Sequence, residues 1–83
     1  MKIHHYTAIF QKEPEGGYTV IIPALPGCVT YGETIEEAAA AAKEAIESYL
    51  GSLAKDGERA PEDVSFVSTI DVTRESNQPV VYA

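Results

Sequence analysis

The sequence predicts an α+β domain in which three strands of an antiparallel sheet are followed by one helix and a fourth strand. Two observations support this class. In the first third of the chain, short runs of β-branched and aromatic residues alternate with turn residues, a pattern typical of antiparallel strands. Between residues 35 and 53, apolar side chains recur with a period of about 3.6 residues, which indicates a helix with one buried face.

The strands are predicted from residue types and from the turns that separate them. Residues 2–12 and 18–23 form the first two strands, and the Pro- and Gly-containing segment 13–17 suits a tight turn, so we expect an antiparallel hairpin. Two prolines then interrupt regular pairing before a short third strand over residues 28–31. A fourth strand is predicted over residues 64–72, where β-branched residues are again frequent.

The helix has the clearest start signal in the chain. Thr34 suits the N-cap position, and Glu37 lies three residues further on, which is the spacing of a capping box. The apolar stripe continues to Leu53, and the pair Asp56-Gly57 then supplies a stop. We therefore predict a helix over residues 35–55 that packs on one face of the sheet.

The charge of the chain limits the partners that it can bind. Thirteen acidic residues against six basic ones give a net charge of −7. Nucleic-acid-binding domains need clustered Lys and Arg to contact phosphates, so direct binding to DNA or RNA is not expected. A negative field favours association with a basic protein. Under the alternative interpretation, the charge only keeps a small protein soluble.

No residue pattern indicates a catalytic site, a metal site or a cofactor. His4 and His5 are neighbours on a predicted strand and point to opposite faces of the sheet, so they are not expected to share a metal ion. Cys28 lacks the basic neighbours that activate a thiol and is expected to be buried. Capping accounts for the acidic residues at the helix start. We therefore expect a protein that is not an enzyme.

The chain is expected to reside in the cytoplasm as a single domain, residues 1–83. A lone cysteine cannot form an intrachain disulfide, which suits a reducing compartment. The N-terminal residues lack the apolar run and the cleavage site of a signal peptide. No segment approaches the ~20 apolar residues that a membrane-spanning helix needs.

Residues 18–38 carry an ordered series of motifs. An aromatic strand ends in Pro, Leu-Pro-Gly-Cys follows at residues 25–28, and a Gly-acid-Thr entry at residues 32–34 leads into a helix that begins Glu-Glu-Ala. An Asp-Gly-Glu sequence and a proline continue the pattern after the helix. In this combination and spacing, the chain resembles the HicB-like antitoxin family.

The resemblance implies a partial ribonuclease-H-like fold without ribonuclease chemistry, and the antitoxin role in a type II toxin–antitoxin pair. The implied partner is a small, basic, HicA-like toxin that cleaves RNA and whose active site the antitoxin masks. Many members of the family carry a C-terminal DNA-binding segment, and the expected absence of one here argues against self-repression by operator binding. Two alternatives stay open: an orphan structural or ligand-binding domain, and a degenerate ribonuclease-H-like nuclease.

The partner-binding surface is predicted around the irregular loop and the helix start. Leu25, Pro26 and Tyr31 flank the loop and would supply apolar anchors, and Glu33 and Glu36 would supply negative charge. Under the alternative interpretation, Leu25 and Tyr31 fill the core and the two acids only cap the helix.

The end of the chain is predicted to mediate self-association. Val80, Val81 and Tyr82 form a short apolar segment after a polar turn, and at a sheet edge such a segment invites pairing with another chain. A homodimer or tetramer would extend the small core through shared burial. The alternatives are that the segment pairs within its own sheet or is disordered.

Overall fold

The computed structural model describes residues 3–74, which form a three-stranded sheet and one long helix. The strands are β1 (Ile9–Lys12), β2 (Tyr18–Ile21) and β3 (Val29–Gly32), and the helix is α1 (Ile35–Lys55). The predicted α+β class and the order of three strands before the helix are therefore confirmed, and the helix has the predicted bounds.

The sheet is antiparallel throughout, with the strand order β1-β2-β3. Because successive residues of a strand point to opposite faces, each cross-strand row of paired residues lies on one face. The row that includes Val20 lies on the inner face, against which α1 packs. The neighbouring row lies on the opposite face, here called the outer face, and consists of Ile9, Ile21 and Val29.

A small apolar core lies between the inner face and α1. Its buried members come from β2, the loop after it and the helix, and they are Val20, Ile22, Leu25, Cys28, Ala38 and Ala42. Both helical members are alanines, so the helix lies close to the strands. Larger half-buried side chains, such as Ile46, Tyr49 and Leu50, pack around the edge of this core.

The loop between β2 and β3 turns back on itself through three backbone hydrogen bonds. The Ile22 N–H donates to the Cys28 carbonyl oxygen at 3.1 Å, and the Leu25 N–H donates to the Ile22 carbonyl oxygen at 3.0 Å. The Cys28 N–H completes the set by donating to the Leu25 carbonyl oxygen at 2.9 Å. Leu25 belongs to this compact turn, and its side chain is fully buried in the core.

The end of β3 lies against the first turn of α1 at Gly32. A Cβ atom at Gly32 would overlap the backbone of Glu37 and Ala38, so a side chain does not fit there. One half of the predicted capping box forms immediately afterwards, and the Glu37 side chain accepts from the N–H of Glu33, the residue before the N-cap, instead of from that of Thr34. The Glu37 N–H donates to Thr34 Oγ1 at 3.1 Å, and the Glu33 N–H donates to Glu37 Oε2 at 3.3 Å.

Residues 64–72 do not form the predicted fourth strand. Their apolar side chains are between 74% and 88% exposed, and these residues are Val64, Phe66, Val67, Ile70 and Val72. A sequence that favours a strand is insufficient by itself, because a strand is stabilised by pairing along a sheet edge, and within residues 3–74 no strand pairs with this segment. The first strand is also shorter than predicted, since residues 3–8 lie outside it.

The segment after the helix is attached to the residues that precede β1. The Tyr6 hydroxyl donates to the Pro61 carbonyl oxygen at 2.6 Å, and the Thr7 N–H donates to the Asp63 carboxylate. The same carboxylate accepts the Ser65 N–H at 2.8 Å. Because the hydrogen bonds from Thr7 and then Ser65 favour the charged form, they lower the pKa of Asp63 to about 2.

We predict that Gly32→Ala lowers the free energy of unfolding by about 1–3 kcal/mol, because the added methyl group must push α1 away from β3. Gly51→Ala is the matched control, since Gly51 lies inside α1 with open space where a Cβ would stand. Alanine there should stabilise the helix by about 1 kcal/mol. Urea denaturation followed by circular dichroism measures both effects. A Gly32→Ala protein as stable as the unsubstituted one would contradict the close packing.

Candidate partner-binding surface

The structure separates the five residues predicted to bind a partner into two groups. Leu25 is buried in the core, so its side chain is unavailable for contact, as the alternative interpretation expected. Pro26 is exposed in the loop that precedes β3, whereas Glu33 and Glu36 are exposed beyond the other end of that strand. Tyr31 lies near this second end and is 47% exposed. The predicted surface is therefore not one continuous patch.

The second group, which consists of Tyr31, Glu33 and Glu36, lies beside the β1–β2 turn. The sequence does not predict this proximity. The pairing of Tyr18 with Gly32 places the β1–β2 turn, residues 13–17, beside the start of α1. The Tyr31 hydroxyl donates to the Gly16 carbonyl oxygen at 3.1 Å and so connects β3 to this turn. The strand register places the turn beside the helix start, and this register cannot be obtained from a single sequence.

This end of the sheet combines negative charge with an aromatic side chain. We call this region the acidic end. It comprises two carboxylates of the β1–β2 turn, the tyrosine of β3 and two carboxylates that follow β3, namely Glu13, Glu15, Tyr31, Glu33 and Glu36. Glu13 is half-buried and accepts a hydrogen bond from Thr19 Oγ1 at 2.7 Å. The other three carboxylates belong to exposed residues. A surface groove of about 550 Å³ runs between Tyr31 and the turn.

The residues considered for catalysis are not brought together. His4 and His5 are exposed before β1, and Cys28 is buried in the core, where desolvation raises the pKa of its thiol. Within residues 3–74 there is no group of three or more His, Cys, Asp or Glu side chains placed to hold a metal ion. In the same part of the chain, no helix has the length and apolarity to cross a membrane.

The predicted self-association segment, Val80, Val81 and Tyr82, lies outside the residues that the structure describes.

The described residues define a class: a small α+β domain with one face of its antiparallel sheet covered by a helix and with an acidic end. Comparison with known proteins identifies the family. The model of a family described as HicB-like antitoxin of bacterial toxin–antitoxin systems matches residues 6–82. The chain belongs to this HicB-like antitoxin family.

Curated relatives are similar over much of the chain. A UPF0150 protein of Thermoplasma acidophilum is 50% identical over 58 residues, which are 70% of this chain and 84% of that protein. A UPF0150 protein of Synechocystis is 37% identical over 71 residues, which are 86% of this chain and 90% of the relative. A UPF0150 protein of Helicobacter pylori is 49% identical over 49 residues, covering 59% of this chain and 67% of its own length.

We predict that the turn positions the Tyr31 ring, and two neighbouring glycines test this. Both have positive φ, 107° at Gly16 and 80° at Gly17, so alanine at either position should cost about 1–2 kcal/mol of backbone strain. A Cβ at Gly17 would overlap the Tyr31 phenol, whereas nothing lies within 4 Å of a Cβ at Gly16. Gly17→Ala should therefore shift the NMR signals of the Tyr31 ring more than Gly16→Ala does, because only at Gly17 does the added methyl group overlap the ring. Equal shifts in the two variants would argue against this role of the turn.

Proposed function

We propose that this protein is an antitoxin that binds a small, basic, HicA-like, RNA-cleaving toxin and masks its active site. It acts by binding and performs no catalysis of its own. The acidic end of the sheet carries this proposal, because it supplies charge opposite to that of the expected partner at one place on the surface. The family supports the antitoxin role, and the identity of the toxin is part of the proposal.

Electrostatics and an aromatic anchor would contribute in different ways. Exposed carboxylates such as Glu15, Glu33 and Glu36 raise the rate of encounter with a basic protein, and salt weakens this effect. Tyr31, which is half-exposed and held by the Gly16 carbonyl oxygen, is suited to remain at the surface as a contact residue. Tyrosines are frequent among the residues that contribute most to binding at interfaces.

The proposed site of action is the cytoplasm. A toxin that cleaves RNA finds its substrate there, and an antitoxin must be present in the same compartment. Cys28 is a free, buried thiol, which is consistent with a reducing environment. Co-expression tests this function directly: a small basic protein encoded beside this chain should be toxic alone and harmless when this chain is present. Toxicity that persists in its presence would contradict the antitoxin role.

We predict that Glu33→Lys combined with Glu36→Lys weakens binding of that toxin, and more strongly in low salt than in high salt. The matched control is Glu44→Lys combined with Glu47→Lys, which has the same spacing and charge change on exposed positions of α1. Because these two residues lie away from the acidic end, the control should retain most of the affinity. Titration calorimetry at two salt concentrations measures all three proteins.

Two outcomes would contradict the assignment of the acidic end. One is an affinity of the Glu33→Lys, Glu36→Lys protein that equals that of the unsubstituted chain at both salt concentrations. The other is an equal loss in the control protein, which would indicate that only net charge matters. Circular dichroism of each variant confirms that α1 is intact, since Glu36 lies in its first turn.

We also propose that the protein forms a homodimer or tetramer through Val80, Val81 and Tyr82. The described core has only six buried apolar residues, and shared burial is a common way to stabilise so small a core. Sedimentation equilibrium of the intact chain and of one truncated after Gln78 should show an oligomer and a monomer, respectively. A monomeric intact chain at about 10–100 μM, where weak dimers still form, would contradict the proposal. An oligomer that survives truncation would place the interface elsewhere.

A further inference from the structure

We propose that the outer face of the sheet is the surface on which the basic partner docks, with Ile9, Ile21 and Val29 as its apolar contact strip. This inference rests on the proposed antitoxin function and assigns the contact to one face of the protein. It differs from the surface expected from the sequence, which centred on the loop after β2 and the start of the helix.

The strip follows from the register of the sheet. Ile9 pairs with Ile21, and Ile21 pairs with Val29, so the three side chains form one continuous row across all three strands. Ile21 is half-buried, whereas Ile9 is 39% exposed and Val29 is 55% exposed. An apolar row of this kind on an open sheet face leaves hydrophobic surface in water, and a bound partner would remove that surface.

The helix covers only the opposite face. Val20 lies in the row next to the strip, and it is fully buried beneath α1 together with Ala38 and Ala42. A strand residue that points toward the helix has neighbours that point away from it, so α1 is on the wrong side to cover the strip. Val29 is 55% exposed, which agrees with a position on the outer face.

The charge around the strip indicates which occupant fits. The next row on the outer face contains Thr19 and its partner Tyr31, and beyond Tyr31 lies the β1–β2 turn with its two carboxylates, Glu13 and Glu15. A second copy of this chain would carry the same net charge of −7, and like charges at an interface disfavour association. A basic protein with an exposed apolar side chain would satisfy both features at once.

An apolar strip with carboxylates beside it has the arrangement found in specific protein–protein interfaces. An apolar centre excludes water, and charged groups at the rim set the rate of encounter and the choice of partner. Tyr31 stands between the strip and the acidic turn, so it would contact the partner at the boundary of the two regions. The acidic end would thus attract the partner, and the strip would retain it.

The experiment compares two double substitutions in the full-length chain. Ile9→Ser with Val29→Ser removes the two most exposed members of the strip. The matched control is Ile3→Ser with Val67→Ser, which removes one exposed isoleucine and one exposed valine away from the strip and the acidic end, 72% and 74% exposed. The probe is a small, basic, HicA-like toxin purified in an inactive form, and binding is measured by calorimetry in low and high salt.

We expect the strip variant to raise the Kd at least about tenfold at both salt concentrations, as loss of central apolar contacts does. The control should bind like the unsubstituted chain. If the unsubstituted chain binds and the strip variant binds equally well, the docking face is refuted and the antitoxin function stands. If the unsubstituted chain does not bind, the proposed function fails and this inference fails with it.

Two further outcomes would overturn the inference. An equal loss of binding in the control variant would show that the effect is not specific to the outer face. A change in the oligomeric state of the strip variant, measured by sedimentation without the partner, would show that the strip contacts a second copy of this chain. Circular dichroism and urea denaturation confirm that both variants retain α1 and the core.

Discussion

The close contact between Gly32 and the first turn of α1 is the constraint on which the rest of this structure depends. The missing Cβ at Gly32 lets the backbone at Ala38 lie directly against the end of β3. From this point the buried alanines at positions 38 and 42 keep the helix close to β3 and β2. The helix therefore covers the inner face, and the outer face is left with an apolar strip.

The same contact brings the negative charge of the protein to one place. The helix starts beside the β1–β2 turn, so carboxylates from the turn and from the helix start share one end of the sheet. Capping explains the position of Glu37, whose N–H donates to Thr34 Oγ1 and whose side chain accepts from the Glu33 N–H. The side chains of Glu33 and Glu36 remain exposed, so stabilising the helix and attracting a basic partner are compatible roles.

The elements that could be predicted are those whose signals are local. The helix bounds follow from Thr34, Glu37 and the Asp56-Gly57 stop, which act within a few residues of the helix ends. The hairpin turn follows from the glycines at positions 16 and 17. Residues 64–72 show the limit, because their sequence favours a strand but a strand also needs a partner along an edge.

The sequence by itself determined the fold class, the helix, the acidic character and the membership of the HicB-like family, because these depend on composition, periodicity and ordered motifs. Only the tertiary structure decided which residues share a surface. It placed Leu25 in the core within a hydrogen-bonded loop and separated Pro26 from Glu33 by the length of β3. It also joined Tyr31 to the β1–β2 turn, because the register of the sheet arises from pairing between strands.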